Sequence, residues 1–462
     1  FPKKSMNTSS IVAAQRRFFA THQTKSIAFR KNALNRFLAV VQKKEKAIYD
    51  ALYLDLKKPP YETYLSEYFV VVKETKTMLR NIKRWSAPKR MPSSMLNFPS
   101  KDYLLPEPYG CTLHISPWNY PFQLSLNTLV GAVAAGNTVV LKPSEQAPHT
   151  ATLLAEIIQE AFAPEHVTTV LGGAEVAQAL LTERWDYIMY TGSTAIGKHI
   201  AKAAAEHLTP NTLELGGKSP CIVDGTTPLE ITAKRMVWGK FLNCGQTCIA
   251  PDYALVQEKL IAPLTQLMVA EIQKAFGEQA ENSNSYGRII NTRHFKRLTN
   301  YLKDAQILHG GQSDEKSLFI APTLLLDKTG DGPAMQEEIF GPIFPIIPFH
   351  STEDVLPMLQ RFEKPLACYV FSNDKKWVRQ LAHQFSNGGM VVNDSIVQFV
   401  NDQLPFGGVG HSGMGSYHGR FSFDTFSHQK PIVKRGLWLD PFLRYAPYPK
   451  SFDGLKKWLS RL

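Results

Sequence analysis

Nothing in the 462-residue chain approaches the ~18 unbroken apolar residues that a bilayer-spanning helix requires, so a soluble body is expected. Cysteine is scarce. The five residues Cys111, Cys221, Cys244, Cys248 and Cys368 are too scattered for a disulfide framework, and an odd number cannot all pair with one another, so reduced thiols are expected. Cys244 and Cys248 lack the two-residue gap of a zinc knuckle, and no second Cys/His pair with ligand spacing follows, so no metal site is expected. The opening 1–5 segment lacks an apolar run of roughly 7–15 residues after its lysines, and reads as a loop or an added remnant rather than a signal peptide. The expected compartment is the cytoplasm.

Acidic residues are outnumbered, with a formal net charge of +12, which raises nucleic acid or an anionic membrane as partners. The lysines and arginines are spread along the chain, however, and no nucleic-acid motif is present. A solvated basic surface and a phosphate-bearing cofactor account for the charge better, with the C-terminus as an exception. Repeats and low-complexity segments are absent as well. A chain of 462 residues exceeds the ~250–300 at which single cores stop growing, which predicts two domains with accessory pieces.

The first ~85 residues read as helical, over Lys31–Leu56 and Glu62–Trp85. Prolines 88, 92, 99, 106 and 108 then mark an extended connector or edge ribbon. From Tyr109 short apolar strands alternate with helices. Strands are expected at Cys111–Ile115, Thr138–Leu141, Val167–Leu171 and Tyr187–Tyr190, with helices at Phe122–Ala135, Thr150–Ala161 and Ile196–Ala205. This alternation predicts a doubly wound parallel α/β sheet, which binds ligands at the carboxyl ends of its strands. After Leu213–Gly217 it resumes through Cys221–Val223, Pro228–Lys240 and Ala254–Val256 to Gly389–Asn393, predicting a second α/β unit. The Gly-, Pro- and aromatic-rich tail from about Gln398 suits a segment crossing back over the other domains.

Several short stretches can carry chemistry. Asp186–Gly197 reads as a strand, a glycine turn and a helix start, where open amides attract phosphate, although Gly192 and Gly197 have neither dinucleotide-fingerprint nor P-loop spacing. Pro143 ends a strand and leaves Lys142 and Glu145 at its carboxyl end, as surface residues or as ligand contacts. Glu214 sits between Leu213 and Leu215 before a double-glycine turn, where a carboxyl acquires a raised pKa suited to proton exchange. Asn119, between Pro117 and Pro121, offers either a fixed oxyanion donor or an Asx turn. The Asn243–Cys248 loop supplies either a nucleophile or small buried thiols, and composition does not separate Cys244 from Cys248.

The joint order of these segments resembles the aldehyde dehydrogenase superfamily, from about residue 10 to about 448. The matching motifs are Pro-Trp-Asn-Tyr-Pro at 117–121, Lys-Pro-Ser-Glu at 142–145, Thr-Gly-Ser at 191–193 with Gly197, Glu-Leu-Gly-Gly-Lys at 214–218, Gly-Gln-Thr-Cys at 245–248, Glu-Ile-Phe-Gly-Pro at 338–342 and Pro-Phe-Gly-Gly at 405–408. The Ala-Pro-Asp-Tyr after Cys248 and the Leu-Arg-Tyr-Ala-Pro-Tyr at 443–448 are similar to the class 3 branch, which acts on fatty and aromatic aldehydes and tends to form dimers.

The resemblance implies a Rossmann-type NAD-binding domain over 6–214, with 88–108 in a bridging segment, an α/β catalytic domain over 215–397, and a returning tail and oligomerisation segment over 398–462. It implies Cys248 as nucleophile, Asn119 and the Cys248 amide as oxyanion donors, and Glu214 as the base that activates the hydrolytic water. It also implies a dinucleotide held by Trp118, Lys142, Glu145, Gly192, Ser193, Ile196, Gly197, Glu338 and Phe340. Attack of the thiolate on an aldehyde gives a thiohemiacetal, loss of hydride to the nicotinamide gives a thioester, and water releases the acid. NAD is the expected cofactor, with NADP possible, because Glu145 near the adenosine ribose would repel a 2′-phosphate. Alternatives of the same fold are an enzyme that acylates coenzyme A or runs in reverse, and a non-catalytic binding protein. Leu455, Trp458, Leu459 and Leu462 fall at helical spacing among Lys456, Lys457 and Arg461. This predicts a short amphipathic helix over 453–462, either docked on the body or a dimer mate, or lying at the substrate mouth or on a membrane surface.

Overall fold

The computed structural model describes residues 8–460, so the expected opening loop and the last two positions of the tail helix lie outside the described residues. Two mixed sheets organise the chain. The first has six strands in the spatial order Gly413–Met414, Asn211–Glu214, Tyr187–Thr191, Cys111–Ile115, Thr138–Lys142, Val167–Thr169, parallel except for the short strand from the tail. Its central strands are buried at every position, as the near-continuous apolar runs of a sheet covered on both faces require. The Pro121–Ala135 helix, mostly apolar with Gln123, Ser125, Asn127 and Thr128 among its buried residues, is buried along its entire length between this sheet and the N-terminal helices.

The second sheet has seven strands in the order Gln306–His309, Thr323–Leu326, Ile343–Phe349, Tyr253–Gln257, Pro220–Val223, Ala367–Phe371, Gly389–Val392, parallel except at the Gln306–His309 edge. The proline-rich connector forms the expected ribbon: Lys89–Met91, Ser100–Pro108 and the returning strand Ser427–Arg435 pair antiparallel.

The 31–56 stretch is two helices, Ile27–Lys43 and Glu45–Leu56, meeting at Lys44. The bend lets both bury their apolar faces against the same Pro148–Ala161 helix, whose Glu156 and Glu160 pair with Lys44. From Pro60 the chain is helical to Trp85, with one π turn at Tyr64–Tyr68. That turn carries Glu67, whose side chain is fully buried.

The tail helix is shorter than expected, Asp453–Leu459, and its Leu455 and Leu459 are exposed rather than packed on the body. Leu437, Trp438, Phe442 and Tyr448 nearby are exposed too. Among the described residues, no helix is long and apolar enough to cross a membrane.

Asn137 ties the tail to the first sheet. Its buried amide accepts from Gly110 N–H (2.9 Å) and donates to the carbonyls of Ala132 (3.1 Å) and Phe426 (2.9 Å). Asn137→Ala removes the side-chain partner of the Gly110 amide and the Phe426 carbonyl, while the Ala132 carbonyl keeps the amides of Gly136 and Asn137, and is expected to cost about 1–3 kcal/mol. The expected result is a lower urea midpoint at fixed protein concentration with an unchanged slope, and an unmoved midpoint would deny the tie any weight.

Candidate active site

The chain leaves the Leu229–Phe241 helix through a loop that bends sharply in the left-handed region, with φ of 51° at Asn243, 54° at Cys244 and 72° at Gly245. Non-glycine residues adopt such angles only when their surroundings over-determine them. Here side chains do so. Gln246 Nε2 donates to the carbonyls of Asn243 (3.1 Å) and Arg288 (3.0 Å), while its Oε1 accepts from Ile290 N–H (3.1 Å). Asn243 Nδ2 reaches the Asn119 carbonyl (2.8 Å), Asn119 Nδ2 donates to the Gln246 carbonyl (3.0 Å), and the Tyr120 and Thr247 hydroxyls bond at 2.8 Å. A side chain on Gly245 would collide with the Gly341 carbonyl, which brings the 338–342 motif directly onto this loop.

The two cysteines now separate. Cys244 is 2% exposed, packed in the core beside Tyr286 and Gly287, whereas Cys248 at the end of the loop is only partly buried. None of the five cysteines is in a disulfide. Desolvation, reinforced by Glu338 and Glu214, pushes the Cys248 thiol far above its ordinary value, so it is protonated at rest and needs a base. Glu214 ends its strand in a buried position, and neither carboxylate oxygen has a protein hydrogen-bond partner. Burial alone raises its pKa well above the usual carboxylate range. A buried carboxyl with no protein partner, in the electrostatic field of a thiol, can take a proton from that thiol or from water.

The Glu338 carboxylate lies over Gly216, where any side chain would collide with it, and accepts from the Gly217 amide. Burial and then Asp252 raise its pKa to about 8. Phe340, at φ 49°, meets the Trp118 ring edge-on at 5.3 Å, and the His294 ring lies tilted 5.0 Å from the Trp118 ring. Cys248, Glu214, Asn119, Glu338, Trp118 and Phe340 thus converge.

Lys142, Glu145 and the 192–197 turn form a second group, at the carboxyl ends of the two strands flanking Cys111–Ile115. Gly192 donates its amide to the Glu214 carbonyl (3.0 Å), linking the groups. The Thr194–Glu206 helix starts at Ser193 with no side-chain cap, so its first amides face outward beside Ile196, which is 49% exposed. Gly197 is small because Leu215 would lie 2.7 Å from a Cβ there. Uncapped amides for phosphates, an apolar side chain left in the open, and a lysine and a carboxylate at the adjacent strand end fit a dinucleotide. One detail departs from expectation: buried Lys142 donates to the Glu145 carboxylate at 2.6 Å, so Glu145 does not stand as an unopposed charge. Among the described residues no group of three or more His, Cys, Asp or Glu could hold a metal ion.

Sequence reasoning missed the scaffold: Asn243, Gln246, Thr247 and Tyr120 around the loop, the buried Lys58–Glu67 pair behind Asn119, and the Lys218–Asp252 pair (2.5 Å) beneath Glu338. The loop members lie inside the motif stretches, as do Lys218 in the 214–218 motif and Asp252 in the Ala-Pro-Asp-Tyr after Cys248, but nothing there signals which residues pair. The buried pairs join residues whose spacing follows no local rule.

Residues 3–432 match the model of the aldehyde dehydrogenase family. The chain is 42% identical to 4,4'-diaponeurosporen-aldehyde dehydrogenase of Staphylococcus aureus, over 95% of this chain and 96% of that one. It is 43% identical to the dimeric NADP-preferring aldehyde dehydrogenase of Rattus norvegicus, over 96% and 98% respectively. Among solved structures it superposes on the substrate-bound state of Staphylococcus aureus AldH with a TM-score of 0.95, at 40% identity and 99% coverage of both chains. The NAD+ complex of an aldehyde dehydrogenase from Bacillus cereus gives 0.84, at 28% identity over 93% and 89%.

A methyl group at position 245 cannot be accommodated without moving the Gly341 backbone. Gly245→Ala is therefore expected to lower turnover more than about tenfold, the equivalent of ~1.4 kcal/mol, with far-ultraviolet circular dichroism unchanged. Turnover equal to the parent would show that the loop conformation is not required.

Proposed function

Because the chain belongs to the aldehyde dehydrogenase family, NAD(P)-dependent oxidoreductases that convert aldehydes to carboxylic acids, we propose that Cys248 carries the substrate covalently and Glu214 is its general base. The observation that carries this reading is the buried Glu214 carboxylate with no protein partner, in the electrostatic field of the only partly exposed cysteine among the described residues. Glu214 takes the thiol proton as sulfur bonds to the carbonyl carbon. The oxygen that gains charge is held by the Cys248 amide and by the Asn119 side-chain N–H left over from its bond to Gln246. Bound NAD(P) supplies the hydride acceptor. Glu214, having passed its proton to solvent, then takes one from the water that cleaves the thioester and frees Cys248. A buried carboxyl with no protein partner is free to bind and deprotonate a water, which favours hydrolysis over transfer to coenzyme A.

The dinucleotide in this reading lies with its phosphates in the 192–197 turn, against Gly192, Ser193 and Gly197 at the uncapped start of the helix and beside Ile196, and with its adenosine ribose at Lys142 and Glu145. Trp118, Glu338 and Phe340 surround its nicotinamide end. Because Lys142 offsets Glu145, both NAD and NADP are accepted, with NAD favoured by the remaining carboxylate. The division into a cofactor domain over 6–214, including the 88–108 bridge, a catalytic domain over 215–397 and a returning tail over 398–462 belongs to the same proposal.

Substrates are medium- or long-chain aliphatic or aromatic aldehydes, a reading supported by the class 3 resemblance, by the 4,4'-diaponeurosporen-aldehyde dehydrogenase relative and by the apolar side chains of the tail. A homodimer is supported by the relative named dimeric. The enzyme is placed in the cytoplasm, with the 453–459 helix at the substrate mouth or against an anionic membrane surface.

Cys248→Ser is expected to abolish NADH production, while Cys244→Ser keeps most of it; the reverse outcome would exchange their roles. Because the Glu214 pKa is raised, its base form grows as pH rises, so kcat should climb with pH toward that pKa. Glu214→Gln should still bind NAD, turn over more than about 100-fold more slowly and lose this ascending limb. Kinetics and a pH profile like the parent's would remove Glu214 from the mechanism. Deleting 453–462 should depress oxidation of a twelve-carbon or longer aldehyde (about tenfold) while sparing propanal. Equal losses on both would indicate general destabilisation, and no loss would leave the tail without a catalytic part.

A further inference from the structure

The two proposed oxyanion donors come from distant parts of the chain, and their relative position has to be held by something outside both loops. Behind them lies an ion pair between Lys58 and Glu67, both side chains fully buried. The Lys58 ammonium bonds the Glu67 carboxylate, donates to the Asn119 carbonyl at 3.2 Å and sits 4.1 Å above the Tyr120 ring. All three sides of the ammonium are therefore occupied. The second Glu67 oxygen accepts from the amides of Phe122 (3.1 Å) and Gln123 (2.9 Å). These are the first free donors of the Pro121–Ala135 helix, which has no side-chain cap from Tyr120. Residues 119–123 are thus held from one side by this pair. From the other side they are held by the cysteine loop, through Asn243 on the same Asn119 carbonyl and Thr247 on Tyr120.

We propose that Lys58 and Glu67 are positioning residues for aldehyde oxidation: together they fix the 119–123 segment so that the Asn119 amide meets the carbonyl oxygen of a substrate bound to Cys248. The inference rests on the reading of Asn119 as an oxyanion donor. The pair touches neither aldehyde nor cofactor. Its effect passes through the Asn119 main chain and the first turn of the helix, while the Lys142 and Ser193 ends of the cofactor site are carried by other strands.

Removing one charge alone would leave the other buried and unpaired, so the test replaces both with apolar side chains of similar length, Lys58→Met with Glu67→Met. With benzaldehyde as probe, kcat/KM should fall at least about tenfold, while the NAD dissociation constant, read by quenching of protein fluorescence, stays within about twofold. In an Asn119→Ala background the same double replacement should cost less than about threefold, because the group it positions is gone. A loss of equal size in both backgrounds, or activity like the parent's in the double replacement, would overturn the positioning role and leave the Asn119 reading standing. Activity like the parent's in Asn119→Ala alone would overturn both. If the double replacement does not fold, Lys58→Gln with Glu67→Gln, which removes both charges and keeps an acceptor for one helix amide, carries the same comparison.

Discussion

The contact between Gly245 and the Gly341 carbonyl is the constraint on which the site depends. It joins the loop bearing Cys248 to the segment bearing Glu338 and Phe340 at a separation no side chain could share. The left-handed angles at Asn243 and Cys244 follow from that approach, and the hydrogen bonds of Gln246, Asn243 and Asn119 offset their cost. Cys244 points into the core as a consequence, while Cys248 emerges at the end of the bend.

Electrostatics follow from the same closeness. Cys248, Glu214 and Glu338 are acids in a poorly solvated space: burial raises the pKa of each, and the two carboxyls add to the rise at Cys248. The second layer is organised differently. Lys218 with Asp252, and Lys58 with Glu67, carry compensated charges whose remaining donors and acceptors bind main chain. Removing one partner of such a pair typically costs about 3–5 kcal/mol, so these pairs are rigid supports. Glu214, at the reacting centre, has no such partner.

The returning tail closes the site from the side of the first sheet. Gly413 pairs with Glu214 itself, Leu215 donates to the Ser412 carbonyl, and the buried Tyr417 hydroxyl lies in the field of Glu214 and Cys248. The segment that carries the tail outward as the Ser427–Arg435 strand therefore also desolvates the base. Cover and catalysis share one piece of chain.

Local pattern in the sequence determined a great deal. Alternating apolar strands and helices specified two parallel sheets, because a strand buried on both faces must be apolar throughout, and proline punctuation specified the ribbon at 100–108. Pattern singled out Glu214 and the 192–197 turn one by one; that they belong with Glu338 in one site was implied by the family resemblance. Local pattern could not separate Cys244 from Cys248 without the family resemblance, since both occupy the same polar loop and differ only in which way a left-handed bend turns them. The break at Lys44, the exposed tail helix and the Lys142–Glu145 pair likewise depend on neighbours remote in sequence or on side-chain geometry. The buried Lys58–Glu67 support was decided by tertiary structure alone: a lysine and a glutamate nine positions apart read as surface charges until folding removes the water around both and leaves each the other's counter-ion.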